Sequence, residues 1–413
     1  MKRLTFRERE SVSFGPGGMI SEPEAESIAK MVQILPRGAV TWGHKTLKFG
    51  PFCGVFQTDL LTIEVLPKID AGDDRSDDMR GLLISMLAIA GQLGSRRLPE
   101  ARLAQQQNHL LDVFIEDFCC LVRAALKKGG IARYEEMKVS LNAVRGRLEL
   151  TEHLRANAFD RSRLLCSFDE RSFDNKYNQT LKEVLRILHR FAMSALTRSV
   201  VAGLLNRFDE VSDRKVNVHH IKSLSFDRTI RYWEEVFVRA GFLLSGLFPD
   251  VRTGAVDGSA LMFNMEKLFE RVLGIRVRQL CAMHGGNFSV GLQGPIKKLA
   301  TSAFELQPDI TVDDGSDCVA IFDAKWKRLD LGLPNSGVAG SDAYQMNAYA
   351  SRYRCKRLAL VYPASRDLPS GKIDEFELET LDRPVLEVIT VDVQKLASGN
   401  WFPKSIERLI TNL

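Results

Sequence analysis

No two cysteines in this sequence are spaced as C-x-x-C. The seven present, at positions 53, 119, 120, 166, 281, 318 and 355, are scattered and odd in number, so neither a disulfide framework nor a zinc ribbon is indicated. Free thiols fit a reducing cytosol, and a cytoplasmic protein is expected. Long hydrophobic runs are also missing. The most apolar stretch, Gly81 to Leu93, spans 13 residues, short of the roughly 20 that cross a bilayer, and it reads as a buried helix with no membrane role. The opening MKRLTFRERESVSF alternates and is charged where a secretory leader would be apolar, so no signal peptide is expected. Proline is sparse at 14, and hydrophobic residues make up 45% of the chain, which excludes a mainly disordered or collagen-like protein. At 413 residues, two or three domains are expected.

Several catalytic signatures are absent as well. There is no G-x-x-x-x-G-K-[ST] phosphate cradle, and GPGG at 15–18 reads as a turn. No G-x-S-x-G elbow supports acyl transfer. The seven histidines, including His219 and His220, lack H-E-x-x-H or other paired-ligand spacing. A strong net charge is missing too: 57 Lys and Arg against 52 Asp and Glu give +5. That small excess is uneven. Residues 121–230 hold 21 basic and 13 acidic side chains, whereas residues 251–413 hold 20 of each. The basic middle is either a solvated Arg-rich face or a polyanion-facing surface.

What is present divides the chain into three regions. Residues 1–75 alternate in LTFRERESVSF and AVTWGHKTLKF and end in the β-branched run LLTIEVLPKI, the pattern of a small β-rich domain. The acidic stretch DAGDDRSDD at 70–78 is a plausible boundary. Residues 76–250 are mainly helical, with a 3.6-residue period over 109–127 and again over 179–205. Residues 251–413 predict a helix over 261–280, strands over 303–314 and 318–329 joined by a DDGSD turn, a helix over 341–353, and further strands over 357–363 and 384–393. The fold class is therefore α/β and multidomain, with a mixed sheet in the last region.

Within that region Gln307-Pro308-Asp309 precedes Asp323-Ala324-Lys325 by thirteen residues. On adjacent antiparallel strands this spacing places the two carboxylates side by side, and the two-residue repeat puts Lys325 on the face of Asp323. Two acids can hold Mg²⁺, which prefers hard oxygen ligands, while the ammonium offsets charge developing on a phosphate or an attacking water. Like charges on apolar strands are costly unless a cation lies between them. The plain alternative is a surface hairpin with a weak Lys–Asp pair.

This segment resembles the PD-(D/E)xK nuclease motif, and the chain resembles the McrC family, the nuclease subunits of modification-dependent restriction systems of the McrBC type. The segments LTIEVLPKI (61–69), VRGRLEL (144–150), FDERSFDNKYNQTLKEVLRIL (168–188) and FNMEKLFERV (263–272) are similar to McrC segments in the same order. The resemblance implies that Asp309 and Asp323 bind the metal, Mg²⁺ or Mn²⁺, with the Ala324 carbonyl as a further ligand and Lys325 as the catalytic lysine. Glu270 occupies the place of a helical metal-binding acid; otherwise it is an exposed acid beside Arg271. Gln345 and Tyr349 match a Q-x-x-x-Y element that orients the site and the DNA backbone, although a tyrosine packed in the core reads the same. The family further implies an AAA+ GTPase partner ring, McrB, docked by the β-rich and helical regions, and modified double-stranded DNA as substrate; phosphate contact by Arg145, Arg147 or Arg155 is a separate hypothesis from the basic charge of the middle region. Two alternatives stand beside a Mg²⁺-dependent endonuclease: a non-catalytic subunit that assembles with and activates the GTPase, and a stand-alone repair or recombination nuclease.

Overall fold

The computed structural model describes residues 2–32, 35–69, 76–91, 110–156, 163–192, 194–216, 220–221, 223–246, 259–285, 287–315, 317–380, 382–398 and 404–411. They belong to two compact units, one of residues Met1–Gln106 with Gly246–Leu413 and the other of Gln107–Ser245.

The first unit opens with β1 (Lys2–Arg7) and β2 (Ser11–Ser13), then α1 (Glu22–Met31), β3 (Val40–Gly43), β4 (Thr46–Phe49), β5 (Phe52–Gln57), β6 (Leu61–Leu66) and α2 (Ser76–Ala90). Helix α1 interrupts the expected run of strands. Its signal is S-x-x-E, for the Glu24 carboxylate accepts the Ser21 N–H at 2.8 Å, which satisfies an orphan donor at the helix start. Strands β2, β4 and β3 form a small sheet, and β1, β6 and β5 belong to a larger one in which β1 runs parallel to β6. Phe6, Ile28, Phe49, Phe56 and Ile63 fill the core between them. All six residues of β6 are buried, including Glu64. That acid is held by Arg80 of α2, whose guanidinium donates to both carboxylate oxygens at 2.8 and 2.7 Å. Burial alone would raise the Glu64 carboxyl, but Arg80 outweighs it and holds the group below its ordinary value.

The second unit contains α3 (Leu110–Lys128), β7 (Arg133–Leu141), β8 (Arg147–Leu148), α4 (Leu150–Ala156), β9 (Leu164–Ser172), α5 (Lys176–Phe191), α6 (Ala195–Leu205) and α7 (Glu234–Gly246). The region expected to be mainly helical thus also carries a sheet of order β7-β9-β8. Its strands are polar along much of both faces, so the period-two signal is weak. The single helix expected over 179–205 is two helices. Ala192 turns extended and the Ser194 hydroxyl caps the second by accepting the Thr197 N–H, because Ser competes for backbone bonds and favours helix starts.

The chain then returns to the first unit with β10 (Ser259–Asn264), α8 (Met265–His284), β11 (Phe288–Leu292), β12 (Lys297–Lys298), β13 (Glu305–Leu306), β14 (Ile310–Asp314), β15 (Asp317–Ala324), α9 (Gly340–Tyr353), β16 (Arg357–Pro363), β17 (Gly371–Glu377), β18 (Val385–Val391), α10 (Val393–Ser398) and α11 (Lys404–Thr411). The helix expected over 261–280 is corrected at its start. Residues 259–264 form a strand antiparallel to β5, and the helix begins only where the Asn264 side chain accepts the Lys267 N–H at 3.0 Å. The compact units consequently divide the chain differently from the three regions read in the sequence, since β10 completes the N-terminal sheet in the order β1-β6-β5-β10. Gly54 permits that pairing. Its φ is +144, and a Cβ there would lie 2.0 Å from the Leu261 carbonyl oxygen. Gly54→Ala is expected to destabilise the protein by about 1–3 kcal/mol, the cost of forced overpacking; equal urea midpoints for variant and wild type would contradict this.

The remaining strands form a six-stranded mixed sheet of order β11-β14-β15-β16-β18-β17, parallel at β15–β16 and β16–β18. This is the mixed α/β architecture expected of the last region. On one side Met346, Tyr349 and Tyr353 of α9 pack on Ile321, Leu358, Leu360 and Leu386. On α8, a Cβ at Gly274 would meet Leu292 at 2.3 Å and Ile310 at 3.4 Å, so the missing side chain lets this helix lie close to β11 and β14.

Candidate active site

The site grows from the β14–β15 hairpin. Ile310 pairs with Phe322, so Asp309 and Asp323 are the next opposed positions beyond that pair. The Asp309 Oδ2 accepts the Ala324 N–H at 2.9 Å. Because N–H and C=O of one residue leave an extended strand on the same side, the Ala324 carbonyl also faces Asp309. Asp323 is almost wholly buried, and its Oδ2 lies 2.6 Å from the Lys325 Nζ. Apart from that ion pair, this oxygen has no hydrogen-bond partner among the described residues.

Helix α9 closes the arrangement. Lys325 Nζ donates to Gln345 Oε1 at 3.2 Å, Gln345 Nε2 donates to the Tyr349 hydroxyl at 2.8 Å, and that hydroxyl donates to the Gln307 carbonyl at 2.9 Å. The four-residue spacing stacks Gln345 and Tyr349 on one helix face, so a continuous chain of bonds runs from the lysine back to the strand that leads into Asp309. Tyr349 is also packed in the core; the two readings of this residue are compatible.

Electrostatics at the site are strained in one direction. Burial, with Asp323 and Glu270 nearby, pushes the Asp309 carboxyl up to about 8. Burial also raises Asp323, against the pull of Lys325. Desolvation works against the Lys325 ammonium, but Asp323 and Asp342 hold it charged and its pKa rises. Asp309 therefore contributes stability while protonated, fully below the unfolded carboxyl value near ~4, and loses it as pH rises towards 8. In EDTA, Asp309→Asn is expected to stabilise the protein by roughly 2 kcal/mol at pH 8.5 and by little at pH 4.5. Melting curves at the two pH values check this, and a gain independent of pH would contradict it.

Glu270 lies near enough for its charge to be felt by the aspartates. Burial raises its carboxyl, a hydrogen bond from the Gln293 side chain opposes the shift, and Asp323 adds to it. Among the described residues no group of three or more His, Cys, Asp or Glu side chains is placed to hold a metal ion, so Glu270 is not gathered with the two aspartates into a three-carboxylate cage. The oxygens that fit Mg²⁺ are those of Asp309 and Asp323, with the Ala324 carbonyl. These are hard donors of the kind Mg²⁺ prefers, and among the described residues the buried Asp323 Oδ2 is met only by the Lys325 ammonium at 2.6 Å.

Residues 47–363 match the model of a family described as McrBC 5-methylcytosine restriction system component. The chain belongs to this family. Its fold is similar to a chain from a tetradecameric assembly of Thermococcus gammatolerans McrB AAA+ hexamers with bound McrC, at TM-score 0.65 and 17% identity with both chains covered in full. A chain of the cryo-EM Thermococcus gammatolerans McrBC complex gives TM-score 0.52 at 18% identity, covering 68% of this chain and 88% of the other. Among curated proteins none matches.

The McrBC-family segment contains Glu270, Asp309, Asp323, Lys325, Gln345 and Tyr349, and the structure also places residues there that spacing did not single out. Asp342 Oδ1 lies 3.8 Å from Lys325 Nζ and its Oδ2 lies 2.6 Å from Lys327 Nζ; its signal was an acid in the first turn of α9, three residues before Gln345. Gln293, at φ +50, donates its N–H to the Asp309 carbonyl at 2.6 Å, which no local pattern announces. In the second unit Arg145 pairs with Glu170 at 3.4 Å and Arg147 with Glu149 at 3.9 Å. The Arg155 side chain, His219 and residues 70–75 lie outside the described residues. No helix among the described residues is long and apolar enough to cross a membrane.

Proposed function

We propose that this McrBC-family chain is the DNA-cleaving subunit of its restriction system, a Mg²⁺-dependent endonuclease that acts in the cytoplasm with a McrB-type AAA+ GTPase ring on modified double-stranded DNA. The observation that carries the reading is the meeting of Asp309, Asp323 and Lys325 at the open end of one hairpin. The fold likeness to a chain from an assembly of McrB hexamers with bound McrC supports the partner, and the lack of a P-loop in this sequence supports a division of labour with a separate motor. On this reading the N-terminal sheet and the basic second unit serve docking, and the basic residues of 121–230 lie along DNA.

Bound Mg²⁺ would supply charge neutralisation at the scissile phosphate and a more acidic attacking water. The chain's own residues do the rest. Asp309 and Asp323 would hold the metal, and the bond from the Ala324 N–H fixes the Asp309 rotamer. Lys325, kept charged by Asp323 and Asp342, presents its ammonium where negative charge develops on the phosphate. Gln345, itself oriented by Tyr349, aims that ammonium.

The test is a cleavage assay on 5-methylcytosine-containing DNA with the partner ring, GTP and Mg²⁺, using EDTA as control. Breaks that require all components support the proposal. GTPase stimulation without breaks would favour a non-catalytic activating subunit, and cutting by the isolated chain a stand-alone nuclease.

A further inference from the structure

Glu8 lies just beyond β1, far in sequence from the candidate site, and is 1% exposed. Its Oε1 accepts two hydrogen bonds, from the Trp326 Nε1–H at 2.7 Å and from the Lys68 N–H at 3.1 Å. Trp326 directly follows Lys325. The next residue, Arg9, is held at φ +60, a left-handed conformation that costs a non-glycine residue roughly 1–2 kcal/mol. In that conformation its guanidinium reaches the Trp326 carbonyl at 3.1 Å and Glu266 at 3.2 Å. The indole packs on Phe269 with centroids 5.3 Å apart, and Phe269 directly precedes Glu270. Trp326, the neighbour of Lys325, is thus gripped at its indole nitrogen by Glu8, at its carbonyl by Arg9 and at its ring by Phe269, the neighbour of Glu270.

From this geometry we infer that Glu8 is a positioning residue for the nuclease site, setting Lys325 through the Glu8–Trp326 hydrogen bond. The inference rests on the nuclease reading above. The Lys325 N–H is anchored to the Val361 carbonyl at 2.9 Å, so the register of its strand is fixed. Beyond that bond the Lys327 N–H closes back on the Lys325 carbonyl at 3.0 Å, and Trp326 is the residue enclosed in this turn, so its anchors set the path the chain takes as it leaves β15. A displacement near 1 Å at a reacting group is enough to cost one to two orders of magnitude in rate. Packing alone does not require a carboxyl here, because burying one is unfavourable unless it is used. Glu8 Oε2 has no partner among the described residues, and burial pushes the carboxyl up to about 7. The charged groups facing it are Arg9, Lys68, Lys327 and Arg328, around a cavity of about 240 Å³, together with Glu266; the Cys53 thiol also feels its charge.

The test compares Glu8→Ala, Glu8→Gln and Trp326→Phe in the full chain assembled with its ring, GTP, Mg²⁺ and 5-methylcytosine DNA. Glutamine keeps the acceptor oxygen; alanine and phenylalanine each remove one end of the bond. Glu8→Ala and Trp326→Phe are expected to lower kcat about 10-fold with KM for DNA nearly unchanged. The double variant should be no worse than either single one, since both break the same contact, and Glu8→Gln should stay within about 3-fold of wild type. Equal losses in Glu8→Gln and Glu8→Ala, additive losses, or an effect confined to KM would overturn the inference. If Glu8→Ala fails to fold, Trp326→Phe against Glu8→Gln carries the comparison. A wild-type complex that cuts nothing defeats the nuclease reading instead. The indole N–H resonance of Trp326 then decides the link: a hydrogen-bonded shift that is lost in Glu8→Ala and kept in Glu8→Gln supports it, and the same shift in all three proteins overturns it.

Discussion

Lys325→Ala is expected to lower DNA cleavage by the assembled complex about 10²–10³-fold, the usual consequence of removing one donor aimed at developing charge. Asp309→Ala should go further and leave no measurable cutting, because it removes one of the two side chains that fit the metal. Asp309→Ala loses the bond from the Ala324 N–H, but in both variants the Lys325 N–H still reaches Val361 and β14 still pairs with β15. Partner binding and GTPase stimulation should therefore persist in both. Single-turnover cleavage, measured beside GTP hydrolysis, separates the two activities. Retained cutting in both variants would sink the site assignment. Loss of GTPase stimulation in both would mean that the site is coupled to the partner in a way its geometry does not suggest. Lys325→Arg should not rescue cleavage, since the planar fork of a guanidinium does not reproduce a compact ammonium 2.6 Å from Asp323.

The second large effect is on stability. Arg80→Ala is expected to cost about 3–5 kcal/mol, because it leaves the Glu64 carboxylate buried without its principal cation. Thr5 and Arg3 remain near Glu64, at 3.3 and 3.4 Å, but neither offers the two-point contact of Arg80. The pH dependence follows from the direction of the shift. Glu64 is held below its ordinary value, so the pair stabilises above that value and its contribution disappears as pH falls through the folded pKa. The gap between variant and wild type should accordingly shrink in acid. Replacing both partners, Glu64→Leu with Arg80→Met, should be close to neutral, since the desolvation cost of the two charges goes with them. By comparison, Arg328→Ala, which breaks an exposed pair with Asp367, should fall within about 0.5 kcal/mol. Urea unfolding at pH 7 and pH 4.5 provides the measurement, and a loss below 1 kcal/mol for Arg80→Ala would contradict the argument.

Legibility in the sequence followed distance along the chain. Asp309, Asp323 and Lys325 lie on one hairpin, so two-residue alternation and a short turn suffice to bring them together, and Gln345 and Tyr349 share a face through helix geometry alone. The strands 357–363 and 385–391 were readable because central parallel strands are continuously apolar. The misses have equally specific causes. LMFN at 261–264 fits a helix until a strand two hundred residues away claims it. The extended Ala192 and the capping Ser194 break a helical period that the apolar residues continue without a gap. Strands β7 and β9 carry too few buried side chains for alternation to show. Glu8 and Gln293 reach the site only through long-range contacts, and nothing in their immediate neighbours marks them.

The pairing of β10 with β5 has a consequence for how the chain is made. A ribosome delivers β1, β6 and β5 early, yet the strand that completes their sheet does not emerge until Ser259–Asn264. In between, the whole of Gln107–Ser245, a compact unit of its own, is synthesised, while β5 waits without its second partner strand. A sheet edge left in that way is a template for wrong partners. Shielding of that edge is therefore expected to matter until Ser259–Asn264 arrives, and the helix that carries Glu270 follows directly, so the sheet closes as the half that carries the candidate site begins to form.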